Sequence, residues 1–265
     1  MVPVRFEFLD HPAPIPFAHR GGAAESPENS RAAFSHAIDL GYRYLETDVH
    51  ATADGVVVII HDPDLARTAD RPGRVGELAW SEVNAARLPG DQHILRLDDV
   101  LDEWPDARWN LDAKHDAVVE PLAGVLRRAG AVGRVCVTSF SDRRVARLRR
   151  LLGSSLCTAT GPAAIAALRV ASLSPLPGVA RKVGGRAWGP AAATQVPVRQ
   201  GRVPVIDRRY VRFAHRCGLP VHAWTIDEEA VMDQLLDLGV DGIMTDRPTV
   251  LRDVLIRRGQ WVGGS

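Results

Sequence analysis

Cysteine is scarce in this chain of 265 residues: Cys136, Cys157 and Cys217 are the only three. No two of them have the spacing of a zinc site or a redox pair, so neither a disulfide framework nor a cysteine-held metal organises the fold. Reduced, structural thiols in a cytoplasmic protein are expected. An excess of one charge is also missing, with Lys and Arg at 33, Asp and Glu at 32, and a net charge of +1. No bulk field therefore draws the chain to nucleic acid or to an anionic membrane. Aromatic residues make up 6%, and no basic stripe interleaved with them marks a nucleic-acid binder. The cluster Arg143, Arg144, Arg147, Arg149 and Arg150 reads as the solvated face of an outer helix. No apolar run approaches the roughly 18 residues needed to span a bilayer. The opening Met-Val-Pro-Val-Arg-Phe-Glu-Phe-Leu-Asp lacks the apolar core of a signal peptide, so no stable membrane insertion is expected. No G-x-G-x-x-G follows the first predicted strand, which counts against a doubly wound nucleotide-binding sheet.

What is present is an alternation of strand and helix. Ile15–His19, Tyr44–Val49, Arg108–Lys114, Arg134–Phe140, Ser155–Thr160, Ala191–Val196, Pro220–Ile226 and Gly242–Thr245 read as core strands. Amphipathic, capped helices fall between most of them. Residues 56–61 read as a further short strand attached to the second unit. Residues 62–100 are irregular, rich in proline and glycine, and read as a short insertion. Eight alternating units in about 250 residues predict a TIM (β/α)8 barrel with a short insertion after the second strand. The open doubly wound sheet is the alternative. A Pro/Gly-rich loop, 173–190, carries Leu173, Leu176, Val179, Val183 and Trp188 with three basic residues. It could touch a lipid surface, yet it precedes a strand and is expected at the barrel floor, where it reads as solvated.

A TIM barrel builds its site at the C-terminal ends of its strands, and polar residues recur there. His19 ends the first strand and His61 the 56–61 run; both suit proton transfer near neutral pH. Glu46 and Asp48 stand two apart, hence on one face. Such a pair is a common way to present oxygens to a hard cation, and Asp112 would add a third. The alternative is that these acids simply pair with basic residues. Arg20 and Lys114 suit a phosphate, as fork and as point charge; Lys114 would otherwise clamp Asp112 and Glu46. Gly21-Gly22 permits a tight turn beside an anion. Glu28 would hold Arg20 or reach the site, and Asn29 would cap the helix that follows. Trp224 and Asp227 close the seventh strand, Asp246 the eighth. His11, His36, His50, His93, His115, His215 and His222 lack such company and read as structural.

Taken in order, His19-Arg20-Gly21, Pro27-Glu28-Asn29-Ser30, Glu46-Thr47-Asp48-Val49, Asp54-Gly55 and Val58-Ile59-Ile60-His61-Asp62 resemble the glycerophosphodiester phosphodiesterase family. So do Asn110-Leu111-Asp112-Ala113-Lys114, Val221–Asp227 and Gly239–Pro248. The likeness runs from about residue 15 to the last helix, so the chain 1–265 reads as a single such domain with its insertion at about 62–100. The resemblance implies metal-dependent hydrolysis of a small-molecule glycerophosphodiester to an alcohol and glycerol 3-phosphate. It implies His19 and His61 as the acid–base pair. Glu46, Asp48 and Asp112 would be ligands to one divalent cation (Mg²⁺ or Ca²⁺, with Mn²⁺ possible). Arg20 and Lys114 would be phosphate contacts, and Trp224 would line the mouth. Lysophospholipase D-like action on lysophospholipids is the alternative activity, and a catalytically inactive binding barrel the non-enzyme one. Two positions depart from the family pattern. Asp112 stands where glutamate is common and is expected to reach a metal through water or to shift metal preference. Asp227 stands where asparagine is common, and its charge is expected to weaken binding of a doubly charged product. The sequence gives neither the alcohol, the metal nor the oligomeric state.

Overall fold

Eight short, largely buried parallel strands close into a ring in a computed structural model that describes residues 6–12, 14–174 and 190–263. In order they are Ile15–His19, Tyr44–Ala51, Arg108–Ala113, Val135–Thr138, Cys157–Thr158, Thr194–Pro197, Val221–Trp224 and Gly242–Thr245. The eighth strand pairs back onto the first, Ile15 opposite Gly242. The fifth and sixth are joined by a parallel bridge between Ala159 and Ala193. There Ala192 N–H donates to Thr158 O at 2.8 Å and Thr160 N–H to Ala193 O at 2.9 Å. All eight residues of the second strand are buried, as parallel strands covered on both faces require.

Amphipathic helices cover the outside. Val119–Arg128 buries Val119, Leu122, Ala123, Val125 and Leu126, a helical spacing. Inside the ring, Phe17, Tyr44, Cys136, Cys157 and Met244 form a core with Phe6 and Phe8 from the N-terminal segment. The Tyr44 hydroxyl donates to Phe8 O at 2.7 Å, fastening that segment under the start of the strands. His222, expected to be structural, lies wholly inside the barrel, where burial pushes it down to about 4. It is neutral there and neighbours Gln195, which also bonds Asn110 at 2.8 Å.

The excursion after the second strand differs from the expected 62–100. It begins with Val57–Ile59, which runs antiparallel to the second strand outside the ring, and Leu95–Arg96 pairs onto that strand in turn. Between them lies a small core of Val58, Ile60, Leu65, Val75, Val83, Leu88 and Ile94. Residues 97–100 belong instead to a helix, Leu97–Glu103, that buries Leu97, Val100 and Leu101 against the barrel. Asp98 and Asp99 in its first turn are a helix-start signal, passed over because proline and glycine punctuate the residues before it. The lipid-surface reading of the 173–190 loop falls mostly on residues outside the described ones.

The first strand turns sharply at its end. Arg20, Gly21 and Gly22 have φ of +51°, +82° and +105°. A Cβ on Gly21 would stand 2.7 Å from Ala33 Cβ, and one on Gly22 would stand 2.7 Å from Pro248 Cγ. Both conformation and space therefore demand glycine. Gly130 also has a left-handed φ, +59°, but open space around it. Thermal melts should separate the two costs. Gly130→Ala is expected to cost about 1 kcal/mol of strain alone, and Gly21→Ala roughly 2–4 kcal/mol, since overpacking adds to strain. Equal losses would show that the close approach to Ala33 relaxes freely.

Candidate active site

A cavity of about 640 Å³ opens at the C-terminal end of the ring. His19, Arg20, Glu46, Asp48, His61, Asp112, Lys114 and Trp224 all line it. Strand register explains the assembly. His19 lies opposite Glu46, and Asp48 opposite Asp112, so neighbouring parallel strands bring these side chains to one wall.

Asp48 is the most deeply buried acid of the group, 2% exposed. Its Oδ1 is 2.8 Å from Lys114 Nζ, and its Oδ2 is 3.2 Å from Arg20 Nε and 3.4 Å from Asn29 Nδ2. Burial opposes its charge, but the Lys114 and Arg20 cations outweigh burial and hold its carboxyl below the usual range. Asn29 is not the helix cap: Ser30 is, its Oγ accepting from Ala33 N–H at 3.1 Å. Asn29 instead takes φ +57°, accepts from Thr47 Oγ1 at 2.7 Å and turns its amide to Asp48. Lys114 also bonds Asp112 Oδ2 at 2.7 Å, so it clamps Asp112 and Asp48, where Asp112 and Glu46 were expected.

His19 Nδ1 is 2.6 Å from Asp246 Oδ1, and its Nε2 is 3.7 Å from Glu46 Oε2. A carboxylate only accepts, so Nδ1 carries the proton and Nε2 is left to exchange one. Burial works to lower the His19 pKa, but the Glu46 charge and the bond to Asp246 prevail and raise it. Burial, reinforced by the charges of Asp48 and Asp112, pushes Glu46 up to about 7 against the pull of His19 and Lys114. Asp227 does not project its charge into the pocket. Its Oδ1 accepts from Thr245 Oγ1 at 3.0 Å and from Asp246 N–H at 2.8 Å, bracing the corner that presents Asp246. That geometry corrects the expectation of a repulsive charge at the mouth.

His61 is held in the same manner, Nδ1 to Asp62 Oδ1 at 2.5 Å, with His50 Nε2 3.1 Å from its carbonyl. Asp62 in turn bonds Arg67, which forks onto Glu28 at 3.0 and 2.7 Å. Glu28 reaches Arg20 at 3.2 Å. The Arg67 guanidinium holds Asp62 down to about 2. Arg67, Asp62 and the role of Asp246 were not foreseen. Arg67 sits on an irregular turn with no motif around it, and Asp246 lies 227 residues from His19. The only signal was that Asp62 and Asp246 each follow a strand end.

The other half of the cavity is apolar. Phe140, Ile165, Val170, Val203 and Trp224 line it, with Phe140 edge-on to Trp224 at 6.0 Å and beneath the Lys114 ammonium at 5.8 Å. Helix Pro162–Ser172 contributes residues along one whole face, Pro162 to Val170. It lies across the mouth.

Among the described residues no three His, Cys, Asp or Glu side chains form a ready cation cage. The seat between Asp48 and Asp112 holds the Lys114 ammonium. Two features nonetheless suit a hard cation. Asp112 Oδ1 is buried with no hydrogen-bond partner, and Glu46 is a buried acid whose ionisation is opposed by its acidic neighbours. Carboxylate oxygens left short of positive charge are the donor type that Mg²⁺, Ca²⁺ and Mn²⁺ take.

Comparison with known proteins agrees with this architecture. Residues 19–250 match the model of the glycerophosphoryl diester phosphodiesterase family. A probable glycerophosphodiester phosphodiesterase 2 from Mycobacterium tuberculosis is 45% identical over 258 residues, covering 97% of this chain and 96% of the relative. Lysophospholipase D GDPD1 from Homo sapiens is 28% identical, covering 90% of this chain and 85% of the relative. The crystal structure of a glycerophosphodiester phosphodiesterase from Agrobacterium tumefaciens superposes with a TM-score of 0.73 at 25% identity, covering 92% of this chain and 99% of that one. The chain belongs to the glycerophosphoryl diester phosphodiesterase family.

Proposed function

We propose that the chain hydrolyses glycerophosphodiesters to an alcohol and glycerol 3-phosphate by histidine acid–base catalysis assisted by a divalent cation. The observation that carries this reading is the pair of histidines lining one cavity, each held at Nδ1 by its own carboxylate. Arg20 and Lys114 stand on the same wall to meet the phosphate. His61 takes the proton of the attacking hydroxyl or water at Nε2. His19, whose pKa is raised, gives its Nε2 proton to the departing alkoxide. Glu46 and Asp112, with Asp48, are the residues that would hold the cation. When bound it would neutralise phosphate charge and ease deprotonation of a coordinated hydroxyl. The chain 1–265 is proposed as one catalytic domain. A reducing, cytoplasmic setting accords with the scarcity of cysteine in the chain.

His19→Ala and His61→Ala are each expected to lower kcat by about 10²–10⁴-fold with unchanged melting curves. Asp246→Asn lowers the His19 pKa, so His19 loses its proton at lower pH and the alkaline limb of kcat/KM moves toward acid. An unmoved limb would remove His19 from the acid role.

Glu46 gives a test independent of activity. Its folded pKa, about 7, exceeds the ordinary 4.5, so the native state holds its proton more tightly than the unfolded chain. Stability from this group is full below about pH 4.5 and is lost as pH rises through 7. In EDTA at pH 8, Glu46→Gln should therefore be more stable than the wild type by up to about 3 kcal/mol, with the gap closing toward pH 4.5. Adding Mg²⁺, Ca²⁺ or Mn²⁺ should raise the melting temperature of the wild type and not of the variant. A wild-type melt indifferent to all three cations would sink the metal site.

The apolar half of the cavity favours a second reading, lysophospholipase D-like hydrolysis with the acyl chain lying on Phe140, Ile165 and Val170. It predicts a higher kcat/KM for lysophosphatidylcholine than for glycerophosphocholine, with the preference reduced about tenfold or more in Ile165→Asp. A panel in which only the water-soluble diester turns over would retire it.

A further inference from the structure

We propose that the rim of this cavity is a docking face for an anionic lipid bilayer. The near-zero net charge of the chain conceals a strong segregation. Residues 143–206 contain eleven Lys or Arg and no Asp or Glu, so all 32 acids lie elsewhere. The described residues of this stretch build one sector of the barrel, from helix Asp142–Leu152 to the hairpin of Arg199–Gln200 and Val203–Pro204.

Part of the charge in that sector is satisfied within the fold. Arg144 pairs with Asp116, Arg147 with Glu120 and Arg169 with Asp207. Arg199 and Arg202 are not: both are exposed on the hairpin, and neither meets a carboxylate among the described residues. Four of the six large apolar side chains exposed among the described residues fall in this sector or at the cavity mouth, the other two being Ile256 and Val262. Phe140 is 67% exposed, Val170 71%, Leu173 52% and Val203 59%. Three of these four also line the cavity. Exposed apolar residues that gather around a pocket mouth mark an interaction surface, whereas singly scattered ones do not. Arginines interleaved with apolar side chains at a protruding hairpin match the two layers of an anionic membrane interface, phosphate outside and hydrocarbon beneath. A bilayer engaged there would cover the mouth, so a diester with an acyl chain would pass from the membrane to the histidines without crossing water. The docking itself does not depend on the hydrolytic reading, since binding is measured without turnover.

The test is sedimentation of the full chain with vesicles of phosphatidylcholine alone and of an equal mixture with phosphatidylglycerol. Binding is expected to the mixed vesicles, and it should weaken as salt shortens the screening length. Each basic side chain near an anionic surface contributes about fivefold to binding. Arg199→Glu with Arg202→Glu should therefore weaken it by at least about 25-fold, while turnover of glycerophosphocholine is kept. Val170→Asp with Val203→Asp should also release the protein from the mixed vesicles, with melting temperature unchanged. The proposal is overturned by absent binding at low salt, or by equal binding to phosphatidylcholine alone. Binding that survives the arginine reversals overturns it too, as does binding lost to them but indifferent to the two valines. A wild-type dimer dissociated by the valine substitutions would assign the face to a second copy of the chain instead.

Discussion

Asp48 cannot stand alone where the second strand places it. A carboxylate 2% exposed at the top of a barrel is tolerable only when charge and hydrogen bonds meet both its oxygens. Lys114 comes to it from the third strand, Arg20 from the turn after the first, and Asn29 from just before the first helix. Each of those three is itself in an unusual state. Arg20 and Asn29 adopt left-handed backbone, and Lys114 divides its ammonium between two acids. Local strain of this kind persists only where the surroundings over-determine it. The glycines after Arg20, which leave no room for a Cβ, are part of that determination.

From Asp48 the constraint spreads to both histidines. Arg20 links to Glu28, Glu28 to Arg67, Arg67 to Asp62, and Asp62 fixes the His61 ring. On the other side, the Arg20 backbone N–H donates to Glu46, which faces His19 across 3.7 Å. Arg20 and Lys114 are therefore joined with His19 and His61 in one electrostatic unit. Each of its cations is shared by two carboxylates, so a carboxylate removed leaves the cation at the next position with half its compensation. The excursion of residues 57–96 has a place in this unit beyond covering the barrel, because it is the element that delivers Arg67.

The barrel was legible in the sequence because its physics is local. Strands buried on both faces read as apolar runs, and helices between them show their caps and their spacing. Glu46 with Asp48, and Asp112 with Lys114, were legible for the same reason, since alternation along a strand puts residues two apart on one face. What escaped was set by closure of the ring. Asp246 meets His19 only because the eighth strand pairs with the first, and Asp227 is consumed by the corner beside it. Leu97–Glu103 was passed over although the acids at its start signal a helix, and the position of Pro162–Ser172 across the mouth was hidden by its ordinary helical pattern. An amphipathic period reports that a face is covered but not what covers it. In Pro162–Ser172, Ala164 and Leu168 pack into the core, while Ile165 and Val170 look onto the pocket.

That helix changes the chemistry the cavity can accept. A site built only from strand ends would be polar on every side and suited to a small, fully charged diester. With Pro162–Ser172 and Phe140 along one wall, charged groups lie at one end and hydrocarbon at the other, within one cavity of about 640 Å³. Water held against the apolar wall gains little and is displaced readily by an apolar group. In the proposed reaction the polar end would hold the phosphate whatever follows it, leaving the cleaved bond to the histidines and Lys114. The identity of the alcohol would then be set at the opposite wall, by residues that carry no charge of their own. Specificity in this barrel can therefore shift through Phe140, Ile165 and Val170 while the Asp48 assembly stays as it is, because the two walls share no hydrogen bond and meet only where the Lys114 ammonium rests on the Phe140 ring.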